Sequence, residues 1–164
     1  MKKHLLVLLA ICIGGLTVVS CNRENGGGSN TGSNITVQYK MSETYKFNSE
    51  TVQISPGFRY NIKYVDATSK TVEVNDVTAP WTLPSFEVKP PFTARIEGTI
   101  VFNENELPDG PISFGAAPNI CVLKDGNQVI YDNDVIGHFT TKEKFLEYAA
   151  SHPEKIQFKV EHTF

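Results

Sequence analysis

The sequence has few of the residues and motifs from which catalytic and metal sites are usually built. Its 164 residues include three cysteines and four histidines, and His138, His152 and His162 lie on three different segments without the spacing of zinc ligands. Neither Gly-x-Ser-x-Gly nor His-Glu-x-x-His occurs, and no motif places a cysteine beside a histidine. These absences predict that the protein is not an enzyme and that it needs no metal or other cofactor.

A long hydrophobic run is also missing. The apolar segment 5–13 is far shorter than the roughly 20 residues that a helix needs to cross a bilayer. Two lysines precede this segment, and Val18-Val19-Ser20-Cys21 follows it, a run of small residues ending in cysteine that resembles a lipobox. We therefore expect residues 1–20 to be a lipoprotein signal peptide and Cys21 to be the acylated residue.

The segment after Cys21 contains no residue able to build a core. Residues 22–34 (NRENGGGSNTGSN) predict a flexible tether with a root-mean-square reach of roughly 20 Å. Two or more acyl chains hold a protein on a membrane for long periods. The sequence thus predicts a protein of the bacterial cell envelope, with residues 35–164 forming one domain that a lipid anchor holds beside a membrane.

Basic residues are in the minority. Removal of residues 1–20 takes away two lysines, which leaves 13 basic and 18 acidic residues and a formal net charge of −5. This balance argues against a nucleic-acid partner. Cys121 then has no disulfide partner, and it lies in an apolar run, so we interpret it as a small buried hydrophobic residue and not as a nucleophile.

From residue 35 onward, hydrophobic residues alternate with polar ones. The alternation is strict over residues 58–64, 92–102 and 156–160, and it gives a strand one buried and one solvated face. Gly98 in the second of these strands indicates a bulge or the close approach of another backbone. Many short strands separated by turns predict an all-β protein in which two half-apolar antiparallel sheets pack into a sandwich.

Asp125-Gly126 is the strongest hairpin signal in the chain. A two-residue loop there pairs Val122 with Val129 and Ile120 with Tyr131 on one face, and it places Cys121 and Ile130 together on the other. Because both faces are apolar, we expect this hairpin to lie centrally, with cover on both sides.

Residues 140–143 (TTKE) have the Thr-x-x-Glu spacing of a capping box, which makes Thr140 the expected N-cap. Apolar residues follow at helical spacing until Pro153, so one short C-terminal helix is predicted near residues 141–151. We expect its apolar stripe to cover the second face of the Asp125-Gly126 hairpin.

Two stretches resemble a known family. Residues 60–67 (YNIKYVDA) lead into 71–82 (TVEVNDVTAPWT), and residues 120–126 (ICVLKDG) follow later. This order is similar to the small mycobacterial membrane proteins of the MmpS type, transport accessory proteins. The chain departs from them in having a lipobox in place of a transmembrane helix, a lone Cys121, and a longer segment over residues 41–56. The resemblance implies an immunoglobulin-like β-sandwich and an accessory role beside an envelope transporter for hydrophobic cargo, with a membrane protein as partner.

Trp81 is the main candidate for contact with a ligand or partner, because an exposed Trp between Pro80 and Pro84 suits an interaction surface. The competing interpretation, a core plug where the sheets cross, is favoured. The face formed by Phe58, Tyr60, Ile62 and Tyr64 is likewise interpreted as core in preference to an apolar ligand slot.

An acidic cluster (Asp125, Asp132, Asn133, Asp134) offers oxygen ligands for calcium, but it lacks the spacing of a known calcium loop. The function predicted from the sequence is therefore that of a membrane-anchored, non-catalytic binding or accessory module. A surface-displayed structural or adhesion lipoprotein that contacts glycan or protein is the alternative.

Overall fold

The computed structural model describes residues 34–164, which fold into an antiparallel β-sandwich with one short α-helix near the C-terminus. The strands are β1 (Ile35–Ser42), β2 (Thr44–Phe47), β3 (Glu50–Gln53), β4 (Phe58–Val65), β5 (Thr71–Val77), β6 (Trp81–Thr82), β7 (Phe86–Val88), β8 (Thr93–Phe102), β9 (Ile112–Lys124), β10 (Asn127–Asp132), β11 (Val135–Phe139) and β12 (Gln157–Thr163). The helix α1 spans Lys142–Ser151, and a 3₁₀ turn follows at Pro153–Ile156.

Two sheets form the layers of the sandwich. In the first, the strands run in the order β10, β9, β1, with β6 and β7 sharing the outer edge of β1 and with β11 paired to β9. The second has the order β12, β8, β4, β5, and β2 and β3 form a separate hairpin. The fold class predicted from the sequence, an all-β sandwich with one short C-terminal helix, is confirmed.

The alternation of hydrophobic residues decides which faces meet. Every second residue of β1 is buried, beginning at Ile35, and the same parity buries Phe58, Tyr60 and Ile62 in β4. Each fully buried side chain of this size contributes about 1.5–3 kcal/mol relative to leaving it in water. The core is therefore the layer between the inner faces of the two sheets.

Two buried tyrosines tie the layers together in reciprocal fashion. The hydroxyl of Tyr39, from the first sheet, donates to the carbonyl oxygen of Val65 in the second at 2.8 Å. The hydroxyl of Tyr60, from the second sheet, donates to the carbonyl oxygen of Gly115 in the first at 2.9 Å. Burial raises the pKa of Tyr39 to about 12 and raises that of Tyr60 as well, so both hydroxyls remain protonated donors at neutral pH.

Gly98 lies where two backbones approach closely, as its position in the strand predicts. It pairs with Ile62 on one side and with Phe158 on the other. A Cβ atom at this position would clash with the carbonyl oxygen of Asn61 and would lie 2.8 Å from the ring of Phe158. Any larger residue would therefore force the second sheet apart at its centre.

The Asp125-Gly126 hairpin forms with the predicted register but not in the predicted place. Val122 pairs with Val129, Ile120 with Tyr131 and Cys121 with Ile130, and both turn residues have positive φ angles of 51° and 79°. The expectation of a central hairpin covered on both sides is wrong. Although β9 is central, β10 lies at the sheet edge, where Ile130 is 52% exposed and Val129 is 45% exposed.

The strands β10 and β11 continue one ladder along β9. Asp132 lies opposite Asn119 and Val135 lies opposite Ala116, three residues further along each strand, so the register does not change. The interruption falls opposite Pro118, which has no N–H to donate. β9 therefore forms one long hairpin with β10 and β11, whose ladder of backbone hydrogen bonds is interrupted once, opposite Pro118.

The helix spans Lys142–Ser151, within the predicted range, but its N-cap is Thr141 and not Thr140. The Thr141 hydroxyl accepts a hydrogen bond from the backbone N–H of Lys144 at 3.4 Å. The predicted packing of the helix on the second face of the hairpin is wrong. Its buried residue Phe145 instead contacts Phe58 and Phe114 at the other end of β9.

Candidate functional site

An apolar groove opens on the side of the sandwich, between the broken edge of the first sheet and the β4–β5 turn. We call it the side groove. Its volume is about 280 Å³. Its apolar wall consists of Tyr64, Leu83, Pro84 and Phe86, and its rim is the turn Asp66-Ala67-Thr68.

Prolines explain why this edge of the first sheet is open. β6 has only two residues and β7 has three, and Pro84 lies in the gap between them. Leu83 is nevertheless held in place, because its N–H donates to the carbonyl oxygen of Tyr39 at 3.1 Å. Its own carbonyl oxygen accepts from the side chain of Gln38 at 3.1 Å. The side chains of Leu83 and Pro84 therefore remain at least partly exposed in the gap, while two hydrogen bonds fix the backbone of Leu83.

A row of aromatic rings supports the groove. The ring centroids of Tyr64 and Tyr39 are 5.6 Å apart, and those of Tyr39 and Phe86 are 5.9 Å apart. Such tilted pairs at 4.5–7 Å are favourable arrangements for aromatic rings. Because Tyr39 is fully buried and hydrogen-bonded, it fixes the two half-buried rings that line the groove.

Trp81 stands beside the side groove and does not line it. It is half-buried on β6 opposite Met41, and its ring lies 6.1 Å from that of Tyr64. It packs against the core, yet part of its surface stays open to solvent. Trp81 therefore packs against the ring of Tyr64 and extends the apolar surface beyond the groove.

The rim carries one ordered carboxylate. Oδ1 of Asp66 accepts hydrogen bonds from the hydroxyl and the backbone N–H of Thr68, both at 2.8 Å, and from the backbone N–H of Lys70 at 3.0 Å. These bonds, with that of the Thr68 hydroxyl foremost, lower the pKa of Asp66. The rim is therefore negatively charged at neutral pH and has a defined shape.

The side groove offers an apolar surface with one carboxylate at its rim. Its lining holds no Cys, His or Lys, so it offers no thiolate, imidazole or amine to attack a substrate or move a proton. Aromatic faces beside a fixed carboxylate suit a ligand with an apolar face and a hydrogen-bonding edge.

Two larger depressions lie elsewhere on the described surface. One of about 490 Å³ lies over the outer face of the second sheet, where Lys63 and Glu73 form an ion pair at 3.5 Å. Another, of about 400 Å³, lies between the β2–β3 hairpin and the start of β4, beside Ile54 and Ala79. The first is a solvated face of paired charges, and the second is a seam beside the β2–β3 hairpin.

The remaining sequence candidates are not brought together. Asp125 lies at the tip of the hairpin, whereas Asp132 lies at the other end of β10. Among residues 34–164, no group of three or more His, Cys, Asp or Glu side chains is arranged to hold a metal ion. Cys121 is free and buried, as interpreted from the sequence. The predicted acylation site, Cys21, lies outside the described residues.

The three histidines considered as zinc ligands make separate contacts. His138 lies 3.4 Å from the hydroxyl of Ser113 through Nδ1. His152 stacks on Tyr148 beyond the end of α1. His162 stacks on Tyr131 with ring centroids 3.9 Å apart, which places β12 of the second sheet against the inner face of β10.

The sequence points to Trp81, a neighbour of the groove, and to one lining residue, Tyr64, which is interpreted there as core. The aromatic face of β4 divides, since Phe58, Tyr60 and Ile62 are buried as interpreted and Tyr64 is half-exposed. Leu83 and Phe86 were not singled out. The spacing of Pro80 and Pro84 in an apolar segment is the signal that points to them, because it predicts an edge strand that cannot close.

Comparison with known proteins identifies no family. No protein-family model matches the chain, and no curated protein matches its sequence. In the part of the chain that the structure describes, no helix is long and apolar enough to cross a membrane.

Proposed function

We propose that the protein is a non-catalytic binding module, held at a bacterial envelope membrane by a lipid anchor on Cys21, and that the side groove receives an apolar part of its ligand. The observation that carries this proposal is the groove itself. It is an apolar surface lined by Tyr64, Leu83, Pro84 and Phe86 and left open by the proline-broken edge.

The size of the groove limits what it binds. Its volume of about 280 Å³ lies just below the roughly 300–1,000 Å³ typical of sites that enclose a small molecule. A ligand therefore inserts one ring or a short apolar segment, and the rest of it remains outside.

An accessory role beside an envelope transporter is the leading form of this proposal. The stretch that resembles the MmpS type, residues 60–82, supplies Tyr64, the rim turn and Trp81, which together form one side of the groove and its surroundings. A half-exposed Trp next to an apolar groove is a favourable anchor for a membrane protein partner or for hydrophobic cargo.

The polar rim favours a second candidate, a surface-displayed lipoprotein that contacts glycan or protein. Asp66 is ionised and fixed beside the ring of Tyr64. A sugar ring that stacks on the aromatic face places its hydroxyl groups against this carboxylate, so the same groove accommodates such a ligand.

The test is purification of the full acylated chain from its own membranes in mild detergent, followed by mass spectrometry of co-purifying proteins and lipids. The variants Tyr64→Ala and Trp81→Ala are compared with Phe47→Ala, which truncates a half-exposed ring on β2, away from the groove. We expect a specific protein or lipid to co-purify with the native chain and Phe47→Ala, and to be lost from Tyr64→Ala and Trp81→Ala.

Two outcomes contradict the proposal. One is recovery of the chain without any specific partner or lipid, and the other is equal recovery from all three variants. Release of the domain by protease on intact cells distinguishes the two forms, because surface display exposes it and a position within the envelope protects it.

A further inference from the structure

The strand β10 is an exposed sheet edge without the usual protection against pairing. Its six residues (NQVIYD) contain no proline and no basic residue, and their only charge is Asp132 at the end. Val129 and Ile130 stand exposed in its centre. An edge strand with exposed apolar residues and free backbone groups is a template for another strand.

The other long edges of the sandwich are guarded. β12 carries Lys159 and Glu161 on its solvated face. β5 carries Glu73 and is irregular, since its register with β4 shifts next to Tyr60. The β6–β7 edge is broken by prolines, and β11 is covered at Phe139 by α1. The contrast indicates that the open edge of β10 is a feature of this strand and not a general property of the fold.

The hairpin geometry decides which backbone groups of β10 are free. In a two-residue hairpin the flanking pair, here Lys124 and Asn127, exchanges both hydrogen bonds, and bonding then alternates along the strand. Val129 therefore bonds to β9. Gln128, Ile130 and Asp132 turn their N–H and C=O groups toward the open edge.

We propose that β10 binds β10 of a second copy of this chain, antiparallel and centred on Ile130. A two-fold axis perpendicular to the sheet relates the copies and keeps inner faces aligned with inner faces. Each of the three outward-facing residues then joins a hydrogen-bonded pair. Ile130 lies opposite Ile130 of the second copy. On each side of this pair, Gln128 of one copy lies opposite Asp132 of the other.

The strand is complementary to itself in this register. Two exposed isoleucines meet at the axis, and each flanking carboxylate faces an amide that donates to it. On the other face, Val129 of each copy lies opposite the aromatic ring of Tyr131 of the second copy. No pair along the strand joins like charges. In other proteins, charged side chains on edge strands are what opposes such pairing.

The contact is small, and this sets its strength. One added strand covers far less than the roughly 800 Å² per partner of a standard stable interface. The dimer is therefore weak in dilute solution. Copies held on one membrane by the proposed anchor meet at high effective concentration, which raises the dimer population without any new contact.

The first test is disulfide cross-linking in native membranes. Ile130→Cys is made in the full acylated chain with Cys121→Ala, because Cys121 lies directly opposite Ile130 in the same hairpin and would capture the new thiol. Paired Cα atoms about 5.5 Å apart lie within disulfide range. Val101→Cys in the same background is the control, since Val101 is 40% exposed on the second sheet.

We expect mild oxidation to convert Ile130→Cys to a species of twice the mass, with mass spectrometry locating the bond between the two substituted positions, while Val101→Cys stays monomeric. Equal cross-linking of both variants overturns the proposal. So does a cross-link from Ile130→Cys to a different protein, which would make β10 a docking site for that protein.

A second variant tests the contact without a covalent bond. Ile130→Lys places like charges against each other on the two-fold axis, and the half-exposed position leaves the monomer folded. Sedimentation of the native acylated chain in dilute detergent should show a concentration-dependent dimer, and Ile130→Lys should raise its dissociation constant at least tenfold. An unchanged constant contradicts the proposal. Tyr64→Ala should dimerise normally, so failure here and failure of the groove proposal are distinguishable.

Discussion

Two aromatic clusters lie at the two ends of strand β4, and they differ in composition and in exposure. At one end, the ring of Phe145 lies within 5.5 Å of those of Phe58, Phe102, Phe114 and Phe139. At the other, Tyr64 joins Tyr39 and Trp81. A single strand, β4, supplies Phe58 to the first cluster and Tyr64 to the second.

The difference between the clusters lies in what covers them. The helix α1 closes the first, so that Phe145 is fully buried. The second faces an edge whose prolines allow only short strands, and Tyr64, Trp81 and Phe86 stay half-exposed. Aromatic residues that bury completely contribute stability, whereas a partly open group is a surface available for binding. The closed cluster therefore contributes stability, and the open one is the surface that we propose for binding.

Phe145→Ala should have the largest effect, because it removes the centre of the closed cluster. Truncation of a buried Phe costs about 3–5 kcal/mol. We expect that loss in the free energy of unfolding, measured by urea denaturation, with ligand recovery unchanged under conditions where the domain stays folded. Glu147→Ala on the exposed face of α1 is the control and should change stability by less than about 0.5 kcal/mol. A small loss from Phe145→Ala would remove the distinction between the two ends.

Tyr60→Phe and Tyr39→Phe should each cost about 1–3 kcal/mol, since each leaves a buried carbonyl oxygen without its hydroxyl donor. Tyr64→Phe, at the open end, should cost less than about 0.5 kcal/mol. The measurement is again denaturant unfolding. Equal losses from all three variants would contradict the assignment of the cross-sheet bonds to the two buried tyrosines.

The same tyrosines predict how stability depends on alkaline pH. The folded state raises the pKa of Tyr39 from 10.0 to about 12. Stability from a raised pKa is fully present below the unfolded value and is lost as pH rises through the folded value. We expect thermal stability to fall between about pH 10 and 12, and this fall should be smaller in Tyr39→Phe. Ultraviolet titration should show that ionisation of Tyr39 is delayed to high pH. Simultaneous ionisation of all tyrosines before unfolding would refute this.

Trp81→Ala should cost only about 1–2 kcal/mol, roughly half of the loss for a fully buried Trp. Its effect on co-purification of a ligand or partner should be large by comparison. A stability loss as great as that of Phe145→Ala would show that Trp81 acts mainly as a core residue. Trp81 would then no longer count as a contact residue for the proposed ligand or partner.

The smallest effect is expected from Asp66→Ala, which removes the carboxylate of the rim turn. Because hydrogen bonds lower the pKa of Asp66, their contribution is present above the usual pKa of an Asp and is lost as pH falls through the lowered value. The variant should therefore differ from the native chain at neutral pH and converge with it in acid. Asp66→Asn, which keeps an acceptor oxygen, should lie between them. A difference that persists unchanged in acid would exclude the carboxylate as its cause.

Local chemistry was sufficient to predict much of the fold. The register of the Asp125-Gly126 hairpin follows from a two-residue turn, and the helix follows from its spacing and Pro153. The placement of these elements was not predicted, because it depends on partners distant in sequence. Phe145 packs on Phe58 across 87 residues, and no local signal encodes that contact.

The candidate site was predicted only at its margin for the same reason. Trp81 was identified by its type and its flanking prolines, whereas the lining of the side groove joins Tyr64 and Phe86 from strands in different sheets. Periodicity marks both as hydrophobic and does not show that the edge beside them stays open. That openness is a property of the assembled sandwich.

The ladder of β10 and β11 along β9, which keeps one register across its interruption at Pro118, has a consequence for the order of folding. Its pairs begin at the Asp125-Gly126 turn and are local, and hairpins of this kind close in about 1–10 μs. The pairs of β1 with β9 instead join residues such as Val37 and Val122, which requires closure of a long loop before any contact is gained. We therefore expect the long hairpin to form early and to serve as the surface on which β1 docks in the rate-limiting step. Substitutions at the turn should then slow folding, and substitutions in β6 and β7 should mainly speed unfolding.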